Sequence, residues 1–348
     1  MPTGTMKAVM KTIPGIGAEL KKMAIPRPGV GEVLVRVKVT SICGSDVHIY
    51  NWNSWAQQHV KPPQIIGHEL AGEVVELGQG VSSLKIGDFI SAETHIPCGF
   101  CKQCRTGNQH ICKHLKILGV DTNGAFAEYI VIPEVVAWKN DPAIPHHFAS
   151  VQEPLGNAID TVLSEDVAGK SVAIIGAGPI GMLAVGVARV SGATDIFVTD
   201  INDYRLSIAK KMGATATFNP NSTDIVKEIR DATSGDGVDV VLEMSGNATA
   251  LNQGCQLLTP GGRISLLGVF NAPVTLELNN LIIFKGIRVY GITGRNMFST
   301  WFKGANFLKS RTLDLSPVIT HQLTLDDFQQ GFDLMKSGMC GKIVMSVA

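Results

Sequence analysis

Four cysteines, Cys98, Cys101, Cys104 and Cys112, crowd into one stretch at the spacing C-x2-C-x2-C-x7-C. Four thiolates this close in sequence close a tetrahedron around zinc with no open position, which is a structural site. An iron–sulfur cluster also takes four cysteines, so spacing alone leaves that alternative open. Elsewhere Cys43, the adjacent His68 and Glu69, and Glu153 offer sulfur, nitrogen and oxygen donors. Such a mixed set suits a second zinc with an exchangeable position, the form of a catalytic site. No spacing rule selects these four, and Cys43 alone reads equally as a small buried hydrophobe. The third constellation is Gly176-Ala-Gly-Pro-Ile-Gly181, at the G-x-G-x-x-G spacing, with Asp200 beyond it. That pattern cradles a dinucleotide pyrophosphate and ends in an acid for the adenosine ribose.

The cofactor turn needs a strand before it and a helix after it. Ser171-Val-Ala-Ile-Ile175 is short and β-branched, as a buried parallel strand is. Ile180, Leu183, Ala184 and Val187 then recur at helical spacing, so a helix N-terminus faces the phosphates. Gly176, Gly178, Pro179, Ile180 and Gly181 are therefore the candidate phosphate turn, and Ile196-Phe-Val-Thr-Asp200 the next strand. Asp200 repels the 2′-phosphate of NADP and favours NAD, while Arg205 nearby either accommodates such a phosphate, stacks on adenine or bridges Asp200. Further strands are expected at Val238–Glu243, Arg263–Leu267 and Ile287–Ile292, with helical patterns at Tyr204–Met212 and Thr223–Thr233 between them. That alternation predicts a doubly wound parallel sheet.

The first 150 residues have a different texture. Val33, Val35, Val37 and Val39 alternate with Leu34, Arg36 and Lys38, a half-buried strand that runs directly into the Cys43 segment. Few helical periods appear, so this part reads as a β-rich domain. Near the C-terminus, Thr300–Lys309 has helical spacing, Thr324-Leu-Asp-Asp327 has the form of a capping box, and Lys342–Ser346 reads as a strand.

The 348 residues are 45% apolar with a formal net charge of zero, enough for two full cores. No basic run is present, which argues against nucleic acid as a partner. The uncharged run 171–188 approaches the length of a membrane span, but its glycines, its proline and the strand–turn–helix order place it in a soluble core. The N-terminus lacks the apolar stretch of a signal peptide, and the crowded cysteines suit a reducing compartment. A cytoplasmic location is expected.

Gly67-His68-Glu69 with Gly72, Gly87-Asp88, the cysteine lobe and the glycine turn together resemble the medium-chain, zinc-dependent alcohol dehydrogenases over nearly the whole chain. The resemblance implies an α/β fold: a β-rich, GroES-like catalytic domain over 1–156, to which 300–348 returns, plus a Rossmann NAD-binding domain over 157–299. It implies two zinc ions per subunit, NAD, a homotetramer, and an active site in the cleft between the two domains. Cys43, His68 and Glu69 then surround the catalytic zinc, with Glu153 as fourth ligand or close neighbouring acid. Ser45 and His48 form a proton relay, and Leu267, Gly268, Val269, Ile292 and Thr293 meet the ribose and nicotinamide. Five segments, 42–55, 92–95, 153–157, 291–295 and 314–321, resemble members that oxidise the secondary hydroxyl of L-threonine. These carry Thr at the position of Ser45, and the hydroxyl is retained. Such a substrate needs a carboxylate partner: Arg295 is the candidate by its bidentate geometry, with His95 and Glu153 also near the substrate. A polyol or 2,3-butanediol dehydrogenase is the alternative enzyme, and a catalytically silent NAD-binding protein the alternative of another class.

Overall fold

The computed structural model describes residues 2–347. The chain divides into two compact units, Met1–Pro154 with Met297–Lys309 and Ile319–Ala348, and Leu155–Asn296 with Ser310–Val318. The tail, expected to return whole from residue 300, is therefore divided. Ser310–Val318 belongs to the second unit, and its Leu313, Leu315 and Val318 are buried. Leu313 packs onto helix Pro179–Val190 at Gly186, where an added Cβ would stand 2.7 Å from its Cδ1.

In the first unit, strand Glu32–Ser41 is central. It pairs antiparallel with Glu69–Leu77, with Tyr129–Pro133 and, at its far end, with Lys342–Ser346. Val33, Val35 and Val37 enter the core as the alternation predicts. The register then shifts between Val37 and Val39. A bulge of this kind turns the following side chains to the other face. Thr40 and Ser41 are consequently buried while Val39 is only half-buried. The Cys43 segment, read as a continuation after the strand, is instead helix Gly44–Asn51. Cys43 is its N-cap, and Asp46 at the third position returns to the Cys43 backbone N–H, completing a capping box without the usual hydroxyl residue. The capping box at Thr324 and Asp327 forms as expected and leads into helix Phe328–Ser337.

The second unit holds a six-stranded parallel sheet. Its order is Ala216–Phe218, Ile196–Thr199, Val172–Ile175, Val238–Glu243, Leu258–Leu266 and Arg288–Gly291. Winding reverses at Val172–Ile175, and a ligand crevice lies at the carboxyl end of such a switch. The edge strand is clamped from below. Glu165 accepts from Arg288 Nε at 2.7 Å and Nη2 at 3.0 Å, and from the Tyr290 hydroxyl. These bonds, Arg288 first, hold the Glu165 carboxyl down at about 2. Its folded value lies below the ordinary 4.5, so the clamp stabilises fully above about pH 4.5 and is lost as pH falls toward 2. Calorimetry should show Glu165→Gln melting below the unsubstituted protein at neutral pH, with the gap closing over that window. A gap independent of pH would show that the charge contributes nothing. No helix among the described residues is long and apolar enough to cross a membrane.

Candidate active site

Two adjoining strands deliver the first donor set. Ser41 pairs directly with Glu69 across the sheet, so Cys43 leaves its strand beside the point where His68 and Glu69 enter theirs. Gly67 makes that entry possible: its φ is +85°, and a Cβ there would stand 2.1 Å from Phe126 Cδ1. Asp46 ties the segments together, accepting from Cys43 N at 2.9 Å and Gly67 N at 3.2 Å. The result brings ligand atoms of Cys43, His68 and Glu69 within 4.8 Å of one another.

This trio fits zinc. It supplies soft sulfur, imidazole nitrogen and carboxylate oxygen, all ordinary zinc donors. Among the described residues His68 Nδ1 is buried without a hydrogen-bond partner, 3.7 Å from Asp46 Oδ1. Burial opposes the charged imidazolium, but Asp46 and Cys43 outweigh it and push His68 up to about 10. A bound cation displaces that proton, because only the neutral ring ligates. Behind Glu69 lies Lys342, 1% exposed, whose Nζ donates to both Glu69 oxygens (Oε1 at 2.6 Å) and to Ile42 O at 3.0 Å. Ser41 Oγ also donates to Glu69. Burial raises the Glu69 carboxyl while Lys342 opposes that rise, and the Glu69 charge in turn raises Lys342 against its own burial.

Glu153 stands outside the converging trio. It is buried in the first turn of helix Gln152–Val162, where its charge acts on His68, Glu69 and Lys342. Ser45 and His48 lie one turn apart on helix Gly44–Asn51, Ser45 half-buried and His48 exposed. Asn53 Nδ2 meets His48 Nδ1 at 3.0 Å. His95 is buried; its N–H donates to Glu93 Oε1 at 2.9 Å, and Trp301 Nε1 donates to Glu93 Oε2 at 2.8 Å.

The cysteine lobe fits a closed zinc site. Sγ separations are 3.5 Å for Cys101–Cys104, 3.8 Å for Cys101–Cys112 and 4.0 Å for Cys98–Cys104. A tetrahedron with Zn–S of about 2.3 Å spaces its sulfurs by about 3.8 Å. Backbone N–H groups of Cys98 and His114 each reach Cys112 Sγ at 3.3 Å. Others, that of Cys104 first, draw the Cys101 thiol down to about 6. Burial pushes the Cys104 thiol the other way, up to about 12, so the backbone donors favour a thiolate at Cys101 and not at Cys104.

In the second unit a cavity of about 530 Å³ opens at the sheet's carboxyl end, lined by Gly176, Gly178, Asp200, Arg205 and Ser245 among others. Gly176 has φ +102°, and a Cβ on Gly181 would stand 2.0 Å from Gly176 O, so helix and strand meet only through glycine. Gly178 is the N-cap and Pro179 the first residue of helix Pro179–Val190, with Ile180 half-buried in the same turn. Asp200 accepts from Ala177 N at 2.7 Å and Asn202 N at 2.9 Å, which ties the carboxylate to the glycine turn. Arg205 Nε is buried without a hydrogen-bond partner among the described residues. Leu267 N bonds Glu243 O at 2.9 Å and Ile292 N bonds Leu266 O at 2.9 Å; Val269 is 87% exposed and Thr293 exposed. Arg295 is 1% exposed, and its Nη1 donates to Asn157 Oδ1 at 3.1 Å.

Sequence reasoning passed over Ser41, Asp46, Glu93 and Lys342. Asp46 carried one signal, its place three residues after an N-cap; nothing local marks Lys342 as a partner of Glu69.

A GroES-like metal-binding unit and a Rossmann unit define a zinc-binding alcohol dehydrogenase. Residues 29–142 match the family model of the alcohol dehydrogenase GroES-like domain, and 179–310 that of zinc-binding dehydrogenase. An L-threonine 3-dehydrogenase of Pyrococcus horikoshii is 54% identical over 340 residues, covering 97% of this chain and 98% of the relative. The 2R,3R-butanediol dehydrogenase structure from Bacillus subtilis superposes with a TM-score of 0.89 at 28% identity, covering 98% and 99% of the two chains. A putative zinc-binding dehydrogenase from Sinorhizobium meliloti bound to NADP gives 0.91 at 30%, covering 99% of each. The chain belongs to the zinc-dependent medium-chain alcohol dehydrogenases.

Proposed function

We propose that the protein oxidises the secondary hydroxyl of L-threonine to L-2-amino-3-oxobutanoate, reducing NAD. The observation that carries this reading is the 54% identity to an L-threonine 3-dehydrogenase along the full chain, against 28% for the butanediol enzyme of the same fold.

Cys43, His68 and Glu69 hold the catalytic zinc, and Glu153 acts beside them as ligand or neighbouring acid. Bound there, zinc supplies a Lewis acid that lowers the pKa of the substrate hydroxyl. NAD supplies the hydride acceptor, the chemistry the protein itself lacks. Ser45 Oγ accepts the hydroxyl proton as it passes its own to His48, which is held by Asn53 and open to solvent and releases the proton there. Asp200 accepts from the adenosine ribose hydroxyls while helix Pro179–Val190 faces the pyrophosphate with its free N–H groups. Leu267–Val269, Ile292 and Thr293 line the nicotinamide side. Cys98, Cys101, Cys104 and Cys112 bind the structural zinc.

Arg295 takes the substrate carboxylate, with His95 close to the substrate. Arg295→Ala should therefore raise KM for L-threonine about tenfold or more while barely moving KM for a simple secondary alcohol. Equal effects on both substrates would sink the carboxylate role.

The assembly is a homotetramer in the cytoplasm. Among the described residues edge strand Arg288–Gly291 leaves one side unpaired, and Val289 is exposed on it with Ile283 and Phe284 exposed just before it. Such an edge is covered by pairing with a second copy. Light scattering at four chain masses supports this; a monomer excludes it.

The function is tested by NADH absorbance with L-threonine, D-threonine, sorbitol and 2,3-butanediol. Selective turnover of L-threonine, lost on chelation and restored by zinc, is expected. Turnover of a diol with threonine inert would move the substrate to the alternative and keep fold and cofactor.

A further inference from the structure

Glu243 ends strand Val238–Glu243, at the carboxyl edge of the sheet beside the NAD cavity. It is 0% exposed, and no arginine or lysine pairs with it among the described residues. Oε1 takes three donors: the backbone N–H of Ser245 at 2.8 Å, that of Gly246 at 3.0 Å, and the Ser245 hydroxyl. Oε2 is buried with no hydrogen-bond partner among the described residues. The Glu243 carbonyl oxygen meanwhile accepts from Leu267 N at 2.9 Å and Gly268 N at 3.1 Å. One residue thus holds two loops: through its side chain the turn after its own strand, and through its backbone the loop after strand Leu258–Leu266.

The two loops interlock above it. A Cβ on Gly268 would stand 2.4 Å from Glu243 Oε2 and 2.3 Å from Gly246 N. A Cβ on Gly246, whose φ is +63°, would stand 2.4 Å from Val269 O. Met244, Ser245 and Asn247 wall the NAD cavity, and Leu267–Val269 is the loop assigned to the nicotinamide side. A buried carboxylate with an unmet oxygen is costly, and packing alone is better served by an apolar residue. What a carboxylate does that an apolar residue does not is gather successive N–H groups onto one atom.

We propose that Glu243 is a positioning residue for NAD: its carboxylate sets the Met244–Asn247 turn against the Leu267–Val269 loop, so that the dinucleotide meets a preformed wall at both ends. The proposal rests on the NAD assignment. Preformed walls spare ordering cost on binding, so the effect belongs in cofactor affinity.

The test is titration of Glu243→Ala, Glu243→Gln and Ser245→Ala with NAD and with AMP, alongside steady-state kinetics and melting. Glu243→Ala should raise Kd and KM for NAD about tenfold, while kcat at saturating NAD and KM for threonine stay within about twofold. AMP, which reaches only the Asp200 end, should weaken less. Glu243→Gln keeps an acceptor for the turn and should recover most of the NAD affinity. Ser245→Ala removes one bond to Oε1 in a protein that still folds, so it should raise Kd for NAD about threefold. NAD binding unchanged in folded Glu243→Ala or in Ser245→Ala would overturn the proposal, as would equal losses for NAD and AMP that track the melting temperature. Unsubstituted protein that binds neither nucleotide would instead take down the cofactor assignment and this proposal with it.

Discussion

Cys43→Ser should abolish turnover and leave NAD binding near normal. Cys43 has two jobs that the substitution separates. Its Sγ belongs to the trio whose donor atoms lie within 4.8 Å of one another, and its backbone caps helix Gly44–Asn51. Serine is a better N-cap than cysteine, so the helix and the Asp46 capping box survive. What is lost is the thiolate, since a serine hydroxyl stays protonated where a cysteine beside a metal does not. With one soft donor gone, zinc content should fall from two per chain toward one, the cysteine lobe keeping its own. Loss of a Lewis acid costs several kcal/mol of transition-state stabilisation, so kcat/KM should drop by about a thousandfold or more. The NAD turn lies in the other unit, and fluorescence titration should give an almost unchanged Kd. Full activity with both zinc ions retained would remove Cys43 from the site.

Lys342→Met should cost about 3–5 kcal/mol of stability and most of the activity. Lys342 and Glu69 are both essentially unexposed, and Nζ is the cation that faces the carboxylate. Taking the lysine away strands a buried charge. Glu69, already raised by burial, loses the charge that opposes the rise and takes up a proton. A protonated carboxyl is then a poor donor to a cation. Urea unfolding should show the loss, and zinc analysis should show weaker retention at the catalytic site. The double variant Lys342→Met, Glu69→Gln separates the two effects. It should recover most of the stability, because no unpaired charge remains, yet stay inactive. A double variant as unstable as the single one would mean that Lys342 acts through packing and not through its pairing with Glu69.

The sites differ in how far they could be read in one dimension. The glycine turn and the cysteine lobe are local: every group lies within one strand–turn–helix or one loop, so residue type and spacing report the geometry directly. Five of the six parallel strands of the second unit were legible for the same reason, each a short apolar run between helical patterns; the three-residue edge strand Ala216–Phe218, too short to show a pattern, was not. Helix Gly44–Asn51 was not, because it is short and its N-cap is a cysteine, which no capping rule favours. Arg263 was equally opaque: it is fully buried, donating to Ser265 Oγ at 2.7 Å and to the Val162 carbonyl.

By itself the sequence determined the class of fold, the glycine turn between strand and helix, the four-cysteine lobe and the donor types available for a second metal. Tertiary structure decided how the donors are held. The register shift between Val37 and Val39 turns Ser41 inward onto Glu69. The returning strand Lys342–Ser346, laid against Glu32–Ser41, brings Lys342 to the same carboxylate. Asp46 reaches Gly67 and faces His68 only because the sheet sets Ser41 opposite Glu69. Local spacing reports what a backbone segment does within a few residues, whereas the charge state of a buried carboxylate depends on which cation a distant strand delivers to it.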